Sequence, residues 1–125
     1  MHVDSYKDLN VYKLVRSLSL DIFKLTKTFP KEERYSLTDQ IRRSSRSVDA
    51  QIAEAWGKRR YEKHFISKLT DADGEQLETQ HWVEVSIDCE YVSDETGKAL
   101  LEQCSTIERM LNSMMSKSDT FCNKL

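Results

Sequence analysis

Glycine and proline are scarce in this chain: three and one, respectively, in 125 residues. Sandwich and βαβ folds depend on frequent glycine and proline punctuation, so both are excluded in favour of an all-α fold. No run reaches the roughly 18 apolar residues that a membrane-spanning helix needs. The three cysteines, Cys89, Cys104 and Cys122, are odd in number and form no C-x-x-C pair, so reduced thiols are expected. Met1-His2-Val3-Asp4 lacks the basic and apolar regions of a signal peptide, so a cytoplasmic location is expected, with His2 in a loose end. There is no G-x-S-x-G, no glycine-rich phosphate loop, and no histidine placed to activate Cys89 or Cys104. These gaps set the expectation of a protein that is not an enzyme and takes no small-molecule substrate or cofactor.

What is present is charge and helical periodicity, with 32% charged and 38% hydrophobic residues. The length suits one domain, residues 1–125, built from four helices of about 20 residues. Val11, Val15, Leu18, Ile22, Leu25 and Phe29 recur at steps of four and three and form one stripe of a helix over about 8–28. Asp8 is its candidate N-cap, and Phe29-Pro30 ends it. Leu37, Ile41, Ser44, Val48, Ile52 and Ala55 mark a second helix over about 36–56, with Ser36 as N-cap and Gly57 as the residue just past its end. Its many small residues predict tight packing. A fourth helix over about 93–116 has Ser93 as cap and Leu100, Cys104, Ile107, Leu111 and Met114 as its stripe; the pattern is lost beyond about Lys117, where fraying is expected.

The third helix, about 61–91, is less simple. Phe65, Leu69, Ala72, Gln76, Val83 and Ile87 keep one phase, whereas Ile66, Leu77, Trp82 and Val85 lie off it. A second stripe fits burial against another chain, and equally a wide stripe within one fold. The connections are short, so consecutive helices are expected as antiparallel neighbours in an up-down four-helix bundle. Glu78-Thr79-Gln80-His81 has the Glu-x-x-His spacing of di-iron bundles, but such sites need two copies and inward-facing partners, so no metal is expected.

The net charge of −2 hides a division: residues 1–30 carry +2, residues 31–68 carry +4 and residues 69–125 carry −8. Arg42, Arg43 and Arg46 lie on the polar face of the second helix, and Lys58, Arg59, Arg60 and Lys63 follow the next turn. They outline an extended basic stripe able to contact RNA phosphates, with Tyr61 beside it as a stacking group and Trp56 expected to pack against the helix ends rather than stack on bases. The competing reading is a solvated face of mixed sign, in which Asp39 pairs with Arg43 and Asp49 with Arg46.

Several segments together resemble a known family. Lys7-Asp8-Leu9-Asn10-Val11-Tyr12, Thr28-Phe29-Pro30-Lys31-Glu32-Glu33-Arg34-Tyr35-Ser36-Leu37, Gln40-Ile41-Arg42-Arg43-Ser44-Ser45-Arg46-Ser47-Val48 and Gln51-Ile52-Ala53-Glu54-Ala55-Trp56-Gly57-Lys58 occur in order at its spacing. A weaker match continues through residues 72–80. The family is that of bacterial four-helix bundle proteins encoded by intervening sequences within 23S rRNA genes. Gln51 stands where the family signature has Asn, and Ala55 where it has Gly. The resemblance implies a homopentamer, in which Ile66, Leu77, Trp82 and Val85 would face other chains. A distantly similar protein, the accessory protein of diversity-generating retroelements, is a strongly basic pentameric bundle that binds nucleic acid and a reverse transcriptase. The implied partners are therefore further copies of the chain, and RNA or an RNA-bound protein such as a reverse transcriptase.

Overall fold

The computed structural model describes residues 3–122, so the end expected to be loose at His2 lies outside the described residues. Four long helices, α1 (Asn10–Thr26), α2 (Asp39–Gly57), α3 (Glu62–Asp88) and α4 (Asp94–Ser116), are followed by a short α5 (Ser118–Phe121). No strand occurs among the described residues. α2 packs most extensively on α3, α3 on α4 and α1 on α2, with α1 also meeting α4.

The expected stripes of α2 and α4 are buried at every position, and α1 buries Val11, Val15, Leu18 and Ile22. Apart from Leu37 and Ser44, these residues form the main core with Phe65, Leu69, Ala72 and Val83 of α3. A smaller cluster of Phe29, Leu37 and Val92 closes the end where the α1–α2 and α3–α4 connections meet. There the Tyr91 ring lies 5.3 Å from that of Phe29, and its hydroxyl donates to Glu33 Oε2 at 2.8 Å. Burial pushes the Cys104 thiol up to about 12, as suits a cysteine used as a small apolar residue.

Helix ends depart from the sequence reading, each for a local reason. Asp8 does not cap α1; its carboxylate accepts from the Ser5 amide at 3.2 Å and closes a capping box on a preceding 3-10 turn, Tyr6–Asp8. Ser36 does not cap α2, because its hydroxyl donates to Glu33 Oε1 at 2.6 Å. A π-helical turn, Arg34–Thr38, runs straight into α2 and satisfies the amides a cap would otherwise serve. Gly57 is the last residue of α2, and no glycine takes a positive φ. The chain leaves that helix through successive tight turns, Lys58 N to Ala55 O at 2.9 Å and Tyr61 N to Lys58 O at 3.0 Å.

α3 stops at Asp88, not Tyr91, because Glu90 adopts φ 62°. The Tyr91 amide then donates to Ser86 O and the Glu90 amide to Ile87 O, both at 2.9 Å, the bond pair of a Schellman motif. Ser93 does cap α4, accepting from the Thr96 amide at 3.1 Å. Ser118–Phe121 do not fray: they form α5, whose Ser118 hydroxyl donates to Glu62 Oε2 at 2.8 Å. No helix is long and apolar enough to cross a membrane among the described residues.

Candidate nucleic-acid interface

The basic stripe expected from the sequence divides into three parts. On the α1-facing side of α2, Arg42 Nε donates to Thr26 Oγ1 at 2.7 Å, and the Thr26 hydroxyl donates to Ile22 O at 2.8 Å. This anchors the Arg42 guanidinium 4.8 Å from the centre of the Phe23 ring. Arg46 reaches the same ring at 5.3 Å and Lys27 at 4.7 Å. Each cation gains from the ring quadrupole about 0.5–1 kcal/mol at such a surface. Arg42 and Arg46, one turn apart, repel by only a few tenths of a kcal/mol. Among the described residues, no carboxylate comes within ion-pair distance of Lys27, Arg42 or Arg46. The ring therefore holds three cations together without an ion pair to any of them.

Arg43 points the other way. Its Nη2 donates to Glu78 Oε2 of α3 at 3.1 Å and to Gln40 Oε1 at 3.3 Å, so the expected pairing with Asp39 is replaced and most of its charge is spent internally. Glu78 also accepts from Trp82 Nε1 at 3.1 Å, and the His81 ring meets Trp82 edge-on at 4.7 Å. The single Glu-x-x-His motif is thus tied into a cross-helix contact.

The third part sits at the α2–α3 turn, about 18 Å along the helix axis from Arg46. Arg59 lies 3.6 Å from the Trp56 ring centre and donates from Nε to Trp56 O at 2.8 Å, which fixes it against the fold. Lys58, Arg60 and Lys63 are exposed, as is Tyr61, whose ring lies 5.9 Å from Arg60. Nearby Lys68 is spoken for by Gln51, Glu54 and Asp71.

Between α1 and α2 runs an open groove of about 730 Å³, lined by Arg16, Leu20, Phe23, Arg46 and Asp49 among others. Leu20 is 51% exposed there, and Asp49 only 9%. Burial raises the Asp49 pKa, with Arg16 and Arg46 opposing that shift less strongly. The expected Asp49–Arg46 pair is not formed within 4 Å; instead Arg16 Nε stands 3.6 Å from Asp49 Oδ2. Arg16 itself is exposed and donates to the Tyr12 hydroxyl at 3.0 Å.

Reading the α2 charges alone missed the α1 contribution: Arg16, Leu20, Phe23 and Lys27. A signal was present, since Phe23 and Leu20 are large apolar residues off the α1 stripe and cations flank them. On α3, the off-phase residues Ile66 and Trp82 pack partly buried on the main core and Val85 on the smaller cluster, while Leu77 is 48% exposed.

A search of curated proteins finds no match. Among solved structures, the chain is similar to a protein of unknown function from the S23 ribosomal protein family of Bacteroides thetaiotaomicron. The two share 29% identity and superpose with a TM-score of 0.76, over 85% of this chain and 95% of that one. The family model described as 23S rRNA-intervening sequence protein matches residues 7–113, which include α1–α3 and most of α4 with every basic residue discussed above. The chain belongs to the 23S rRNA-intervening sequence protein family.

Proposed function

We propose that this protein is a non-catalytic, cytoplasmic helical bundle that docks RNA through its basic face. The observation that carries the reading is the group Lys27, Arg42 and Arg46 around Phe23, three cations with no carboxylate partner among the described residues. Mutual repulsion within such a group is relieved when a phosphate approaches, and release of the counterions on the RNA adds to the gain. Lys58, Arg60 and Lys63 form a second contact region at the bundle end, with exposed Tyr61 as a stacking surface. Arg43 and Arg59 serve mainly the fold, since Glu78 and Trp56 hold them.

The four long helices read as an up-down antiparallel bundle, because the short α2–α3 and α3–α4 connections leave consecutive helices only room to turn back. The bundle assembles as a homopentamer in this reading, and exposed Leu77 marks the part of the α3 second stripe left for another copy. Size-exclusion chromatography with light scattering should give five chains per particle; a monomer would remove the assembly.

Docking is tested by binding to a structured RNA across a salt series. Affinity should fall steeply with salt, and Lys27→Glu with Arg46→Glu should weaken it at least tenfold, whereas Arg43→Glu should change it less. Binding indifferent to salt and to these charges would instead favour a protein partner on the acidic C-terminal half.

A further inference from the structure

The α1–α2 groove contains more than a phosphate site needs. A diffuse cationic surface binds phosphate without a floor or a buried acid, yet here Leu20 supplies exposed apolar surface and Asp49 places a largely buried carboxylate at the groove wall. Arg16 at 3.6 Å stands outside hydrogen-bond range, so it does not saturate that carboxylate. The backbone amides of Asp49 and Ala50 offset part of the burial of this carboxylate, and the acceptor capacity it keeps at the groove wall suits a ligand carrying donors of its own. Arg46, held over Phe23, adds a flat guanidinium on which a planar group can stack. Two features thus call for a planar group with donors, and the surrounding cations call for an attached anion.

Among RNA bases, guanine meets the donor requirement best. Its N1–H and N2–H₂ point the same way and match the two oxygens of a carboxylate. Adenine and cytosine each set one amino group beside a ring-nitrogen acceptor, which would face the anion unfavourably. Uracil flanks its single N–H with two carbonyl oxygens. The groove volume of about 730 Å³ falls within the usual range for a small-ligand site. We propose that the α1–α2 groove receives one guanine nucleotide of single-stranded RNA, its Watson–Crick edge on Asp49, its face on Leu20 and Arg46, and its phosphate beside Lys27. This rests on the RNA-docking reading for its source of guanine, but not for the chemistry of the pocket.

The test uses the full chain and fluorescence anisotropy with uridine heptamers carrying one central guanosine, inosine, adenosine or cytidine. Inosine lacks only the N2 amino group, so its heptamer should bind about tenfold more weakly than the guanosine one, as expected for losing one hydrogen bond to a charged group. Asp49→Asn should erase the guanosine preference, so that guanosine and inosine heptamers bind equally; Lys27→Glu should weaken every heptamer alike. Equal binding of guanosine and inosine heptamers, with salt dependence retained, overturns the base pocket and leaves RNA docking standing. Free guanosine monophosphate, titrated while the Leu20 methyl signals are followed by NMR, separates the remaining outcomes. Shifts at Leu20 without any heptamer binding would uphold the pocket and remove the docking reading; no response in either assay would remove both. If Leu20→Glu dissociates the assembly and guanosine monophosphate binds neither form, a second copy fills the groove and the inference falls.

Discussion

Replacing Gly97 with alanine adds a methyl group where α4 meets the end of α3, and two effects of opposite sign then compete. Gly97 is buried in the first turns of α4, and alanine there gains about 1 kcal/mol of helix propensity. A Cβ on Gly97 would stand 2.5 Å from Ile87 Cγ1, with Val92 Cγ2 at an ordinary 3.8 Å. Favourable carbon–carbon contact lies at about 3.5–4.0 Å, so something must move by about 1 Å. Ile87 is β-branched and on a helix, so its χ1 has little freedom to rotate away. Overpacking of this kind costs about 1–3 kcal/mol, which exceeds the propensity gain. Gly97→Ala should therefore be less stable by about 1 kcal/mol, a lowering of Tm by about 4 °C. In an Ile87→Ala background the obstructing atoms are gone, and Gly97→Ala should become stabilising by about 1 kcal/mol. Urea unfolding of the four proteins measures the coupling, expected at about 2 kcal/mol. A Gly97→Ala protein that gains stability with Ile87 in place would refute the packing reason for this glycine.

Other expectations concern single bonds or rings. Glu90→Gly should raise stability by about 1 kcal/mol in the same unfolding assay, because Glu90 holds a left-handed φ of 62° at a position suited to glycine. Tyr91→Phe should give a pH-dependent loss of Tm. The Ser36 hydroxyl, then that of Tyr91, holds the Glu33 pKa below 4.5, so stability from Glu33 is present above that value and fades as pH falls through the lowered one. Tyr91 is itself pushed up to about 12, chiefly by its bond to Glu33, so its stabilisation is lost as pH rises from 10 towards 12. The difference between the two proteins should form a plateau between about pH 5 and 9 and shrink on both sides; a flat profile would contradict the bond. Phe23→Leu removes no charge, yet it should weaken RNA binding severalfold, since it takes away the ring that gathers Lys27, Arg42 and Arg46. Unchanged binding would mean that the ring does not organise these cations.

The stripes of α1, α2 and α4 were legible because each needs only the 3.6-residue period and one apolar face. Helix ends were not, since a cap depends on where neighbouring groups spend their hydrogen bonds. Ser36 has capping spacing in sequence, but Glu33 takes its hydroxyl and the π-helical turn makes a cap unnecessary. Ser93 has no such competitor nearby, and it caps as its position implies. The charged residues of α2 were visible, but their partners were not. Arg43 finds Glu78 35 positions away, and Arg42 finds Thr26 16 positions back. Spacing within α2 gives no information on either contact, so it could not tell a spent cation from an available one.

That distinction changes where the basic face lies. Counting positive charges favours the α2–α3 turn, where Lys58, Arg59, Arg60 and Lys63 crowd together. Partner assignment leaves Lys58, Arg60 and Lys63 available there and adds a second group on α1 and α2, where three cation–π contacts to Phe23 at about 0.5–1 kcal/mol each outweigh three like-charge repulsions of a few tenths each. An acid in place of the ring would hold the same arginines and cancel their field; Glu78 does so with Arg43. An aromatic residue off the core stripe, bracketed by cations on its own helix and the next, therefore marks available positive charge that the local excess of lysine and arginine does not reveal.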